Sequence, residues 1–177
     1  MKSKNNQEAL PAWDLSDLYK GTDDPKVNAD MEKYRKGVAA FAKKYKGKLE
    51  SLDAKAVLAL LKNQEKLAKI GSRLGGFAYL NMSTQMKNPE AMAFYQNISE
   101  KLTEYAKPSV FFSLEFNRLP ETKIKEWLKD KEVAFYKPYF KRIRKYKKYE
   151  LSEPVEEILL EKSITSSFAN ARLTRRF

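Results

Sequence analysis

Apolar side chains recur every three or four positions along most of this chain, the spacing that gathers them on one face of an α-helix. The clearest case follows GTDDP. Asp23 or Asp24 can accept hydrogen bonds from the first free amides and Pro25 suits the first helical position. Val27, Met31, Tyr34, Val38, Phe41 and Tyr45 then follow at steps of four and three. Gly47 supplies the stop. A second helix is predicted from Asp53 through VLALLKNQEKLAKIGSRLGGFAYL, with Val57, Leu60, Leu67, Leu74 and Ala78 near one stripe. Its Gly71, Gly75 and Gly76 each weaken a helix by about 1 kcal/mol relative to Ala, and mark a kink or a close backbone approach.

Asn88 and Pro89 open a third helix whose stripe runs Ala91, Tyr95, Ile98, Leu102, Tyr105, Ser109, Phe112, Phe116 and Leu119. Pro108 interrupts its backbone ladder and not its stripe, which predicts a bent helix or two nearly collinear ones. Shorter helices are expected at 120–129, carrying Ile124, Trp127 and Leu128, and at 133–149. Ser152 caps the next, with Glu153, Glu156 and Glu157 in its first turns, where the helix dipole favours negative charge. No stretch alternates with period two for long enough to make a strand. The expected fold is all-α, a bundle of long antiparallel amphipathic helices with short loops. Residues 1–24 read as an N-terminal arm with WDLSDLY as its anchor, and 25–177 as a helical lobe forming a single domain with that arm.

Composition narrows the chemistry. The 177 residues, 42% hydrophobic and 12% aromatic, suffice for a real core, so the net charge of +12 does not belong to a disordered basic tail. There is no cysteine and no histidine. Disulfides, thiolate nucleophiles, Ser-His-Asp arrangements and the usual zinc clusters are therefore excluded, and carboxylates, Lys and Tyr remain as proton-transfer groups. The start MKSKNNQEALPAW lacks an apolar h-region, and VLALL is the longest aliphatic run. No membrane association is expected, and the cytoplasm is the expected location.

Each chemical motif meets a plainer reading. GSRLGGFA, residues 71–78, has two glycines five apart, as in a phosphate-cradling loop. Phe77 and Ala78 stand where Lys and Ser or Thr are required, so helix packing is the better account. In YKPYFKRIRKYKKY, residues 136–149, a helical wheel places Lys137, Lys141, Arg144 and Lys148 on one face with Lys145 beside them. Tyr136, Phe140 and Ile143 fall on another, flanked by Tyr139 and Tyr146. Single-strand binders need rings and charges converging on one groove, whereas here they separate into a solvated basic face and a core stripe. In WDLSDLY, Asp14 or Ser16 caps a turn while Trp13, Leu15, Leu18 and Tyr19 pin the arm. Glu156, Glu157 and Glu161 share helical spacing, but without histidine partners a charged solvated face is favoured over a metal site.

Three stretches in order, WDLSDLY at 13–19, YKGKLESLDAKAVLALL at 45–61 and KKYELSEPVEEILLEK at 147–162, resemble the N-terminal region of the oligoendopeptidase F group of zinc metallopeptidases, a branch of the thimet oligopeptidase-like family. SSFANARLTRRF is similar to the junction that follows. Tyr149 stands where the resemblance leads one to expect a histidine, and the family's His-Glu-x-x-His segment has no counterpart in these residues.

The resemblance implies a helical lobe that caps the peptide channel of a peptidase lobe in cis. Zinc belongs to the full-length family and to no residue here. Neither catalytic, cofactor-binding nor metal residues are assigned, and the chain by itself is expected not to be an enzyme. Short peptides would be partners only of the full enzyme. Without the peptidase lobe, some of Tyr95, Tyr105, Phe112, Phe116, Phe168 or Phe177 should form an exposed apolar face that invites self-association. The alternatives are a basic helical module that binds nucleic acid or another polyanion, and a stand-alone helical adaptor.

Overall fold

The computed structural model describes residues 13–173, with side chains through residue 163. Helix α1 spans Pro25–Tyr45, α2 Ala54–Thr84, α3 Pro89–Ala106, α4 Phe111–Arg118, α5 Glu121–Trp127, α6 Lys131–Ala134, α7 Lys137–Lys145 and α8 Glu153–Leu173. There is no strand among the described residues, so the all-α expectation holds. No helix is long and apolar enough to cross a membrane, again among the described residues.

The starts and stops follow from local chemistry. Asp24 caps α1 by accepting from the Lys26 amide at 2.9 Å, with Pro25 behind it, and also takes the Lys20 amide at 3.0 Å. Gly47, just past the end of α1, has φ of +76°, the left-handed conformation that a Cβ would oppose. Asp53 caps α2 through the Ala56 amide at 2.7 Å, and Asn88 caps α3 through the Glu90 amide at 2.9 Å.

Two apolar clusters show how the long helices run. One contains Val27 and Met31 from the start of α1, Leu74, Phe77 and Ala78 from the later part of α2, and Ile98 from α3, with Tyr19 of the arm. The other contains Phe41 and Tyr45 from the end of α1, Val57, Leu60 and Leu61 from the start of α2, and residues of α4–α7 that include Phe111, Phe116, Trp127 and Phe140. A helix pair that exchanges start for end between two clusters is antiparallel, so α1 and α2 lie against each other in opposite directions. Gly37 and Gly71 sit at this seam. A Cβ on Gly37 would lie 2.4 Å from a Leu67 methyl, and one on Gly71 would lie 3.2 Å from the Tyr34 ring. Close approach therefore explains Gly71, while Gly76 faces open space.

Pro108 falls in a single 3-10 turn, Lys107–Ser109, between α3 and α4. The apolar stripe survives the break, and Phe112, Phe116 and Leu119 beyond it are buried. Trp127 seals the larger cluster at 1% exposure, its indole N–H donating to the Leu52 carbonyl at 2.9 Å. The single helix expected at 133–149 is instead α6, a break at Phe135–Tyr136, α7 and a 3-10 turn at Lys147–Tyr149. Pro138 causes the break: it has no amide to give to the Ala134 carbonyl, and its ring crowds the preceding turn. Helix α8 follows Ser152, whose carbonyl accepts from the Val155 and Glu156 amides, and the Glu156 carboxylate reaches back to the Leu151 amide at 3.0 Å.

Candidate functional site

Helix α7 and the turn after it present the basic segment much as its wheel predicts, with two corrections. Phe140 is buried, Tyr136, Tyr139 and Ile143 are half-buried, and Lys137, Lys141, Lys145 and Lys148 are exposed. Arg144 does not join the solvated face. Its side chain is 16% exposed, its guanidinium donates to the Leu119 carbonyl and stands 3.3 Å from Glu121, and it lies over the Phe116 ring at 5.7 Å. It turns inward because the end of α4 leaves a carbonyl for it to satisfy, a partner that lies twenty-five positions away and is invisible to a wheel. Tyr146 departs in the other direction, at 62% exposure, and Tyr149 beyond it is exposed as well.

Between α5 and α7 lies an open cleft of about 420 Å³. Ile124, Leu128 and Phe140 contribute its apolar floor, and Lys125, Lys137 and Lys141 stand on its rim. On the opposite side of α7, Tyr139 donates to the Gln64 side chain at 3.2 Å, and its burial pushes the phenol up, which keeps it a neutral donor. Burial and the nearby Glu65 carboxylate push Tyr136 up in the same way.

Helix α8 lies against α3 and is tied to the body by Lys46–Glu153 at 2.6 Å and by Lys107–Glu161. Its outer side carries Leu151, just before the helix, and Val155, Ile158 and Leu159, each 40–54% exposed. The apolar surface expected at Phe112 and Phe116 is therefore elsewhere: those rings are buried at 4% and 1%, in the larger cluster, while Tyr95 and Tyr105 are half-buried against the smaller one. Phe168 and Phe177 lie outside the described side chains. The run Ile158-Leu159-Leu160 could have shown this, because three consecutive helical residues span too wide an arc to share one buried face.

The remaining motifs settle as local structure. In WDLSDLY, Asp14 caps the turn through the Ser16 amide at 2.9 Å, and Tyr19 is buried with its hydroxyl on Asp30 at 2.8 Å. Burial and that carboxylate raise the Tyr19 phenol far above its ordinary value. Trp13 is not an anchor, being 73% exposed, and the arm is pinned by Tyr19 with Leu15 and Leu18 beside it. Of the acidic trio, Glu156 holds the Leu151 amide and Glu161 pairs with Lys107. Among the described residues no group of three His, Cys, Asp or Glu could hold a metal, so the donor set does not fit zinc.

A family model described as Oligopeptidase F matches residues 115–175, from the end of α4 through α8. The chain is also 26% identical, over 97% of its length, to an oligoendopeptidase F homolog of Borreliella burgdorferi, and spans about 30% of that relative's length. No solved structure matches. In sequence, the chain is thus similar to the N-terminal region of the oligoendopeptidase F group, the same group that its WDLSDLY and LSEPVEEILLEK segments resemble.

Proposed function

We propose that this chain serves as the non-catalytic helical lobe of an oligoendopeptidase F-like zinc metalloendopeptidase, capping the channel by which short peptides reach a catalytic lobe. The observation that carries this reading is the coincidence of the family match with α8, whose outer side is apolar and uncovered at Leu151, Val155, Ile158 and Leu159. An apolar stripe of that kind belongs against another protein surface. The zinc and the water-activating glutamate would be supplied by the other lobe, since no cluster among the described residues fits the metal. The lobe's own contribution is steric, admitting extended peptides while excluding folded ones, and the cytoplasm is its proposed location.

The test is to sequence the DNA that follows codon 177 and to express the chain both alone and joined to any continuing frame. Chelator-sensitive cleavage of a quenched fluorescent oligopeptide is expected from the joined protein and not from the chain alone. Cleavage by the purified chain alone, or a continuing frame without a His-Glu-x-x-His segment, would overturn the proposal.

A further inference from the structure

We propose that the cleft between α5 and α7 is a binding site for an acidic peptide segment carrying a large apolar side chain. The cleft's volume of about 420 Å³ falls within the range of small-ligand sites and accommodates a few side chains, not a folded surface. Its floor is apolar, formed by Ile124 at 5% exposure, Phe140 at 3% and Leu128. Around that floor stand Lys125, Lys137 and Lys141, all exposed and without an ion pair among the described residues. The two other charged residues lining the cleft, Glu121 and Arg144, are paired with each other. The unbalanced charge of the cleft is therefore that of three lysines.

Charge complementarity selects the ligand. Lys137 and Lys141 are one helical turn apart, a spacing at which like charges repel and weaken a helix, and carboxylates placed between them relieve that repulsion. The apolar floor then distinguishes an acidic peptide from a bare polyanion. A nucleic acid needs exposed rings for its bases, and the only ring in the cleft among the described residues, Phe140, is packed into the core against Phe116 with centroids 4.9 Å apart. The exposed rings Phe135, Tyr146 and Tyr149 do not line the cleft. An open cleft, as opposed to a closed tunnel, also suits a segment whose backbone remains in water while one side chain descends between α5 and α7.

The inference does not rest on the reading of the chain as a peptidase lobe, because binding is measured on this chain with no catalysis. The probe is a dye-labelled octapeptide alternating Glu with Leu and Phe, titrated in a fluorescence anisotropy assay at low salt. Compared with the unaltered chain, Lys137→Gln/Lys141→Gln should weaken binding at least tenfold. Lys66→Gln/Lys69→Gln, which removes the same charge from the exposed side of α2, should weaken it less than threefold. Far-UV circular dichroism on both variants checks that the exposed substitutions leave the helices intact. An octaglutamate probe should bind at least fivefold more weakly than the mixed peptide. Equal loss in the two double variants, equal binding of octaglutamate, or tighter binding of a single-stranded oligothymidylate that competes for the same lysines would each overturn the proposal. So would concentration-dependent dimerisation, measured by sedimentation, that is abolished by Lys137→Gln/Lys141→Gln, since the cleft would then be a contact between copies of the chain.

Discussion

Replacing Trp127 with Phe tests whether the larger apolar cluster is held by one residue as the geometry implies. Trp127 is 1% exposed and reaches from α5 to the Leu52 carbonyl, so it closes the cluster over α1 and α2 and satisfies an acceptor at the entrance to α2. Phenylalanine keeps one ring and loses the other. The missing ring leaves a void and forfeits its transfer free energy, about 1–2 kcal/mol by analogy with smaller core truncations. The lost indole N–H leaves a partly buried carbonyl unpaired, about 1–2 kcal/mol more. The sum, about 2–4 kcal/mol, corresponds to a fall in Tm of roughly 4–16 °C for a chain of this size. Urea unfolding followed by circular dichroism measures it, and Trp13→Phe is the internal control. Trp13, at 73% exposure, should change stability by less than about 0.5 kcal/mol, and its removal makes Trp127 the sole fluorescent reporter of the core. If Trp127→Phe costs less than about 0.5 kcal/mol, the indole is not what closes the cluster and the account of the fold is wrong there.

Other positions give sharper local outcomes. Gly76→Ala, at a helical site facing open space, should stabilise by about 0.5–1 kcal/mol, whereas Gly71→Val, which forces atoms against the Tyr34 ring, should destabilise by about 1–3 kcal/mol; thermal melts of both decide whether Gly71 is a packing residue. Arg144→Ala should cost about 1–3 kcal/mol through the abandoned Leu119 carbonyl and the lost contact with Phe116, and Lys148→Ala, on the exposed side, less than about 0.5, as read by chemical denaturation. The backbone amides of Lys20 and Lys26 hold the Asp24 carboxyl below its ordinary 3.8. Its contribution to stability is then complete above that value and is lost as pH falls through the lower value in the folded chain. Asp24→Asn should flatten that part of the acid limb of a pH–stability curve and also lower the melting temperature at neutral pH, because its one amide oxygen can still accept from the Lys26 amide while an NH2 replaces the oxygen that accepts from the Lys20 amide.

Much of the fold was legible in the residues because helix geometry is a local matter. Asp24, Asp53 and Asn88 cap the helices that their positions predicted, and the stripe from Val27 to Tyr45 is the buried side of α1. Pro108 interrupts the third helix with a 3-10 turn while the apolar residues beyond it stay buried. The misses all involve distant partners or the wrong choice of backbone ladder. Arg144 points inward because of the Leu119 carbonyl at the end of α4, Trp13 stands exposed, and the break before α7 leaves no mark in the apolar spacing, which continues through Pro138. Four of the rings expected to form the uncovered surface, Tyr95, Tyr105, Phe112 and Phe116, lie in or against the two clusters. The uncovered surface among the described residues includes the aliphatic residues of α8, where the wide arc of Ile158-Leu159-Leu160 is the readable signal.

The attachment of α8 has a consequence for how the molecule can be taken apart. None of its described side chains is fully enclosed, and two of the ties they make to the body, from Glu153 to Lys46 and from Glu161 to Lys107, are ionic and bathed by water. Salt weakens such links while leaving oily interiors alone. Rising ionic strength should therefore loosen this helix like a latch, ahead of any melting of the bundle beneath it.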